Sequence, residues 1–313
     1  DTAADIGAGR ILLENHFLFD VIDADMDFSP YRVLVLPDVI RVDDALHAKI
    51  DAYLAGGGRL LLTGESGMSP DGSEFRFDVG ANIEGKSPFQ PDYVLPRQDL
   101  RASFVDSPLV MYLPAQRISV TDGESLGHVY DPYFNRDFRH FCSHQHAPPR
   151  PEPSGYACGV RKGAVTYLAH PVFTIYRGFG AVAYREYVGK VLGLLLDNAP
   201  TVSTSLPSTG RVSLTRQPEE NRHVLHLLYA DKINRGGPLQ PSGGTLAGRT
   251  GGIEVIDAIA PVIDTRVSLR ISGGVSRVVT APDGTDIPFE QEGDRISLTV
   301  DRFTCHCMLV FEQ

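Results

Sequence analysis

At 313 residues the chain is too long for one hydrophobic core of average size, so two domains are expected. Its 42% apolar and 22% charged residues describe a globular protein rather than a disordered or fibrous one. A net charge of −10 with no stripe of Lys or Arg argues against nucleic acid and anionic membrane as partners, and no apolar run approaches the roughly 20 residues of a membrane span.

In chain order, Asp1 to Asn15 reads as a helix, capped by Thr2 with Asp5 three residues on. Phe17 to Ile22 then reads as a strand. A doubly wound sheet normally begins with a strand, so a helix in first place leads us to expect a C-terminal piece of a longer protein. Tyr31 to Gly64 is the organising stretch. Val33 to Leu36 is an uninterrupted apolar run of the kind that a parallel sheet buries on both faces. Asp43 and Asp44 supply an N-cap and negative charge where a helix has orphan N–H groups. Leu46, Ile50, Tyr53 and Leu54 form one apolar stripe, Gly56-Gly57-Gly58 stops it, and Leu60 to Thr63 is a second buried strand. This is one βαβ unit with a right-handed crossover.

After Gly64 the alternation stops. Glu65 to about Arg97 is rich in Gly, Pro, Ser and Asp, and so long an excursion usually has a task or belongs to an interface. Short strands are expected at Leu109 to Tyr112, Arg117 to Val120 and Leu126 to Tyr130. Ala164 to Leu168 is a return strand ending at His170-Pro171, and a helix follows from Ala181 to Asp197. Thr201 to Gly210 reads as a linker between an α/β domain, residues 1–200, and a β domain, residues 211–313. In the latter, Val267, Leu269 and Ile271, then Ile296, Leu298 and Val300, alternate with polar residues. Turns at Pro282-Asp283-Gly284 and Glu292-Gly293-Asp294 complete the pattern of a small antiparallel sandwich, and Gly236 to Gly252 reads as a loop within it.

Tyr133 to Pro149 is the densest collection of chemically useful side chains. Alternate spacing of His140, Cys142, His144 and His146 would line one face of an extended segment, but the usual zinc pairings are missing, so no metal or other cofactor is expected. Tyr133, Asn135, Arg136, His140, His144 and His146 are instead candidates for binding a sugar, whose hydroxyls need fixed donors and acceptors. A loop satisfied by its own hydrogen bonds is the competing reading. Cys305 and Cys307 alternate with Phe303, Leu309 and Phe311, which places both thiols on the apolar face of a last strand rather than in a ligand motif. Four cysteines without a CxxC pair suggest a reducing, cytoplasmic setting.

The βαβ unit and the later His-Pro resemble the class I glutamine amidotransferase fold, a flavodoxin-like doubly wound sheet. That family carries a Cys at the elbow after a strand and a Glu after His-Pro. Here the elbow reads Thr63-Gly64-Glu65-Ser66, and Val172 follows His170-Pro171. The resemblance therefore implies the fold without its triad, and an α/β enzyme with its own site near Glu65 and His170 stays as an alternative. FDVIDADMDFSPYRVLVLPD, LAGGGRLLLTGESG and HPVFTIYRGFGAVAYREYVGKVLGLLL resemble the amidotransferase-like trimerisation domain of family 42 β-galactosidases and related glycoside hydrolases. HVLHLLYA and GGIEVIDAIAPVIDTRVSLRI resemble the β domain that follows it.

This second resemblance implies no catalytic residue on the chain, self-association as a dimer or trimer, and a carbohydrate substrate. Chemistry in that family belongs to an N-terminal (β/α)8 barrel of roughly 250 residues, which this chain cannot contain. Both β-galactosidase and α-L-fucosidase-like activities fit. A carbohydrate-binding module in the β domain is a third reading, weakened by the absence of Trp.

Overall fold

The computed structural model describes residues 2–235 and 253–313, so the loop expected at Gly236 to Gly252 lies outside the described residues. The chain divides into two compact units. One comprises Asp1–Asn15 and Asp20–Ala199, the other His16–Phe19 and Pro200–Gln313.

The first unit contains α1 (Thr2–Glu14), β1 (Val33–Leu36), α2 (Asp44–Ala55), β2 (Arg59–Thr63), β3 (Ala81–Lys86), β4 (Asp92–Pro96) and β5 (Leu109–Met111). It continues with β6 (Gln116–Val120), β7 (Glu124–Ser125), β8 (Gly127–Tyr130), β9 (Gly159–Lys162), β10 (Val165–Leu168), α3 (Val172–Phe179) and α4 (Val182–Leu195). Its main sheet has the order β1-β2-β10-β9-β7. The first three strands are parallel and the last two antiparallel to their neighbours, so the sheet is mixed.

The βαβ unit forms as its residues dictate. Asp43 caps α2 by accepting from Leu46 N at 2.9 Å, and Gly57 takes a left-handed φ of 93° after the last turn. Ile50 and Tyr53 of α2 pack with Leu34, Leu36, Leu60, Leu62 and Tyr167 on one face of the sheet. Leu61 and Leu168, fully buried by alternation, point to the other face, where α4 packs on β2. The connection from β2 to β10 is not a helix. It is an excursion holding two small antiparallel sheets, β3-β6 and β5-β4-β8.

One expectation fails in this unit, and one helix is found that was not expected. Phe17 to Ile22 is not a strand, because its apolar residues divide between two cores: Leu18 packs in the second unit's core and Ile22 in the first unit's. Asp23 then folds the chain locally by accepting from Asp25 N and Met26 N. In addition, α3 precedes the helix expected from Ala181. It buries Val172, Phe173, Ile175 and Tyr176 and stops at Gly180, whose φ is 59°.

The second unit contains β11 (Val202–Thr204), β12 (Arg211–Gln217), β13 (Arg222–Tyr229), β14 (Ile233–Arg235), β15 (Ile253–Val255), β16 (Pro261–Arg270), β17 (Arg277–Ala281), β18 (Phe289–Glu292) and β19 (Arg295–Glu312). It is antiparallel, as expected, but seven of its strands form one sheet curled over on its longest strand, and β14 pairs with β15 apart from it. The first part of β19 pairs with β16 and β18, the second part with β13 and β17. Leu225, Leu269, Leu309 and Phe311 from both parts share one core. Cys307 lies in that core, whereas Cys305 sits at a left-handed φ of 65° and is only half-buried. Thr201 to Gly210 is not a free linker either. Val202 and Leu206 are buried in the core and β11 pairs with β16, so its β-branched residues complete the sheet.

Candidate functional site

In open α/β sheets ligands gather at the carboxyl ends of the parallel strands. Here those ends are Asp38 after β1, Gly64 after β2 and His170 after β10. Asp38 is buried and fully engaged. Thr63 Oγ1 donates to its Oδ1 at 2.7 Å, and Thr174 donates to Oδ2 from N at 2.6 Å and from Oγ1 at 2.7 Å. Its carboxylate thus sits at the N-terminus of α3, where orphan N–H groups need an acceptor. Burial pushes the Asp38 carboxyl above its ordinary pKa, against the lowering effect of those same hydrogen bonds.

The elbow after β2 is closed around Gly64. Its φ is 60°, a Cβ there would lie 2.8 Å from Asp38 O, and its carbonyl accepts from Tyr167 OH at 2.5 Å. Ser66 is fully buried, with Oγ accepting from Ile40 N at 3.0 Å, so its hydroxyl is not an available nucleophile. Glu65, about a third exposed, pairs with Arg41 at 2.6 Å and lies 3.5 Å from both Lys86 Nζ and Gln116 Nε2. Its place is that of an ion-pair partner. His170 does find a carboxylate, but a distant one in sequence. Its Nε2 lies 2.6 Å from Asp92 Oδ1 on β4, and both residues are buried. The Cys158 thiol contacts Tyr187 OH and is pushed up to about 12 by burial, which keeps it protonated and unreactive. The elbow thus offers neither a cysteine nor a free serine hydroxyl as a nucleophile.

Over this end stands the loop from Pro132 to Pro149. It closes at its base through Tyr133 N to Pro148 O, 3.2 Å, and Arg150 N to Asp131 O, 2.8 Å. Tyr93 OH donates to Ala147 O at 2.6 Å, next to the residue that holds His170. The six candidate residues divide into two sets. Asn135 and His146 anchor the loop. The Asn135 amide accepts from Gln90 N and donates to Pro88 O, and the His146 ring meets Tyr112, itself stacked on Phe179 at 3.8 Å. Arg136, His140 and His144 lie toward the exposed tip. Arg136 donates to Gln145 O at 3.1 Å and the His140 ring approaches Asp137 Oδ1 at 3.3 Å. Tyr133 stands between the sets, half exposed, with Arg150 over its ring.

Two backbone N–H groups, those of Arg139 and His140, hold the Asp137 carboxyl below its ordinary pKa. Phe138 and Phe141, 85% and 73% exposed, are tip residues that polarity alone does not pick out, although two Phe in so polar a loop are a signal. Among the described residues no group of three His, Cys, Asp or Glu side chains is placed to hold a metal ion.

Comparison with known proteins gives these features a context. Residues 10–75 match the sequence model of the β-galactosidase trimerisation domain, a span that takes in the βαβ unit and the elbow. β-Galactosidase GanA of Bacillus subtilis is 26% identical over 187 residues, 55% of this chain and 27% of that protein. β-Galactosidase GalA of Bacillus licheniformis is 24% identical over 230 residues, 71% of this chain and 30% of that protein. Among solved structures, α-L-fucosidase isoenzyme 2 from Paenibacillus thiaminolyticus superposes with a TM-score of 0.91 and 36% identity, over 99% of this chain and 45% of that one. A β-galactosidase from Bacillus circulans sp. alkalophilus shares the fold at a TM-score of 0.55 and 13% identity, over 97% of this chain and 36% of that one. The chain thus spans less than half the length of these relatives. Its likeness is to the trimerisation-domain region of glycoside hydrolases, as the sequence resemblance led us to expect.

Proposed function

We propose that this chain is the oligomerising, non-catalytic region of a glycoside hydrolase, and that it helps to complete a sugar site whose reacting carboxylates lie on a (β/α)8 barrel elsewhere in the protein. The observation that carries this reading is the match, at 36% identity over nearly the whole chain, to a protein that is an α-L-fucosidase. It favours an α-L-fucosyl substrate over a β-galactosyl one. The elbow, with its buried Ser66 and no reactive nucleophile, supports a scaffold rather than a hydrolytic centre of its own. We read the three parallel strands as a flavodoxin-like, doubly wound core put to structural use. The reducing, cytoplasmic setting read from the sparse cysteines of the sequence is part of this proposal.

Two outcomes are expected of the purified 313-residue chain. It shows no turnover of aryl fucosides or galactosides, and activity surviving repurification would overturn the reading. It also self-associates, burying at least about 1,000 Å² in the interface. Light scattering that finds only monomer at high micromolar concentration would count against this.

In the intact protein, Arg136→Ala and His144→Ala are expected to lower kcat/KM about tenfold each, the effect of one lost hydrogen bond to sugar. Melting temperature and oligomer size should change little, because neither side chain is bonded to anything outside the loop and the Arg136 contact with Gln145 O is exposed. Wild-type kcat/KM in both variants would make the tip purely structural.

A further inference from the structure

The outer face of the second unit carries a trough of about 900 Å³, over the part of the sheet formed by β11, β16, β18 and the first part of β19. Its floor is one register row of three serines that ends at Glu290 on the edge strand. Ser203 pairs with Ser268, Ser268 with Ser297, and Ser297 with Glu290. The adjacent row sets Arg266 beside Thr299. Arg295 Nη1 donates to Ser268 Oγ at 2.7 Å, which orients that hydroxyl. The Arg266 guanidinium is exposed and makes no side-chain hydrogen bond or ion pair among the described residues, although its backbone N–H donates to Ser205 Oγ. Glu290 and Asp301, both exposed, lie at the margins.

We propose that this trough binds a neutral oligosaccharide and is an accessory site of the hydrolase; the proposal rests on the glycoside hydrolase reading above. The chemistry of the lining selects the ligand class. Hydroxyls both donate and accept, and a guanidinium presents several donors in a plane, which together match the vicinal hydroxyls of a sugar. Two guanidiniums, Arg266 and Arg295, against the carboxylates of Glu290 and Asp301 leave no net positive charge to attract a phosphate or a polyanion. Of the apolar lining residues, Val267 and Leu298 are buried on the core side, while exposed Pro288 and half-buried Phe289 leave an apolar edge suited to the C–H face of a sugar ring. Exposed sheet faces commonly carry long or β-branched side chains, whereas three serines in one row leave the backbone approachable by a flat ring. The volume is within the range of small-molecule sites.

The test is titration calorimetry on the 313-residue chain with β-1,4-galactotetraose and, separately, 2′-fucosyllactose. Saturable binding of at least one is expected. Arg266→Ala should weaken it about tenfold or more, and Thr299→Val, which keeps shape and removes a hydroxyl, about threefold. Ser213→Ala, on β12 in the other part of the sheet, should leave it unchanged. Absence of binding to both sugars up to about 10 mM, where a specific site would contribute little, would overturn the proposal. So would wild-type affinity in Arg266→Ala, or equal loss in Ser213→Ala.

In the intact protein Arg266→Ala should leave kcat/KM on a small aryl glycoside unchanged. If the intact protein cleaves no glycoside although the trough binds sugar, the function proposed above falls and the trough stands. If it cleaves a glycoside and the trough binds no sugar, the function stands and the trough falls.

Discussion

Asp92→Ala is expected to destabilise the first unit by about 3–5 kcal/mol, the cost of leaving one partner of a buried pair without the other. Asp92 and His170 are both excluded from solvent, the imidazole meets Asp92 Oδ1, and Asp92 Oδ2 has no hydrogen-bond partner. The imidazole therefore carries the interaction from β10 to β4, and nothing in the vacated space replaces it. For a unit of this size the loss corresponds to a fall in Tm of about 10 °C. Asp92→Asn keeps the shape and one acceptor, so a smaller fall is expected. Combining Asp92→Leu with His170→Phe should cost less than the sum of the single changes, because no polar group is then stranded. Thermal melts of these variants decide it. A fall below about 2 °C in Asp92→Ala would mean that the pair does not hold β4 to the main sheet.

That pair also shows where the sequence stops being legible. His170-Pro171 is conspicuous after a buried strand, but its partner lies 78 residues earlier, in a stretch with no periodic pattern of its own. Local signals mark an element and say nothing of which distant carboxylate will meet it. The βαβ unit is readable because each of its signals acts within a few residues: Asp43 on Leu46, Gly57 on the last turn of α2, apolar runs on adjacent strands. Phe17 to Ile22 misleads for the opposite reason. Its apolar residues satisfy two cores at once, and a split of that kind imitates a strand. Thr201 to Gly210 resembles a linker in its Ser, Thr and Pro content, although Val202 and Leu206 have the spacing of core residues. The amphipathic pattern of α3 is present in Val172, Phe173 and Tyr176, but the glycines at 178 and 180 interrupt the helical pattern soon after it begins.

The loop from Pro132 to Pro149 is legible as a cluster and not as a site. Composition singles out Asn135, Arg136, His140, His144 and His146 as one segment, yet it cannot divide them. Asn135 turns to the backbone at 88–90 and His146 to the Tyr112 ring, contacts that depend on how the excursion folds. The residues at the tip make their contacts within the loop itself, Arg136 with Gln145 O and His140 with Asp137, and their side chains stay exposed. The division also explains why Arg136 and His144, rather than Asn135 or His146, are the substitutions that separate function from folding.

The second large effect concerns the packing beneath this end of the sheet. Gly7→Ala in α1 is expected to lower stability by about 3 kcal/mol, with a Tm fall of about 10 °C. Two effects compete there. Alanine favours a helix interior over glycine by about 1 kcal/mol. Against that, a Cβ on Gly7 would lie 1.9 Å from Phe173 O and 2.6 Å from Phe173 C, backbone atoms that cannot turn aside. The two helices must separate, and α3 cannot move freely, because its N-terminus is fixed by the Asp38 carboxylate through Thr174. Steric displacement therefore wins. Gly9, two residues further along α1, provides the control, since a Cβ there meets nothing within 4 Å. Gly9→Ala should raise Tm by about 2–4 °C from the same propensity term without the clash. Opposite signs at two glycines of one helix can come only from the contact with α3. If both substitutions stabilise, α1 does not cross α3 at Gly7 in solution. If both destabilise by similar amounts, helix propensity and this close approach do not govern the stability of α1.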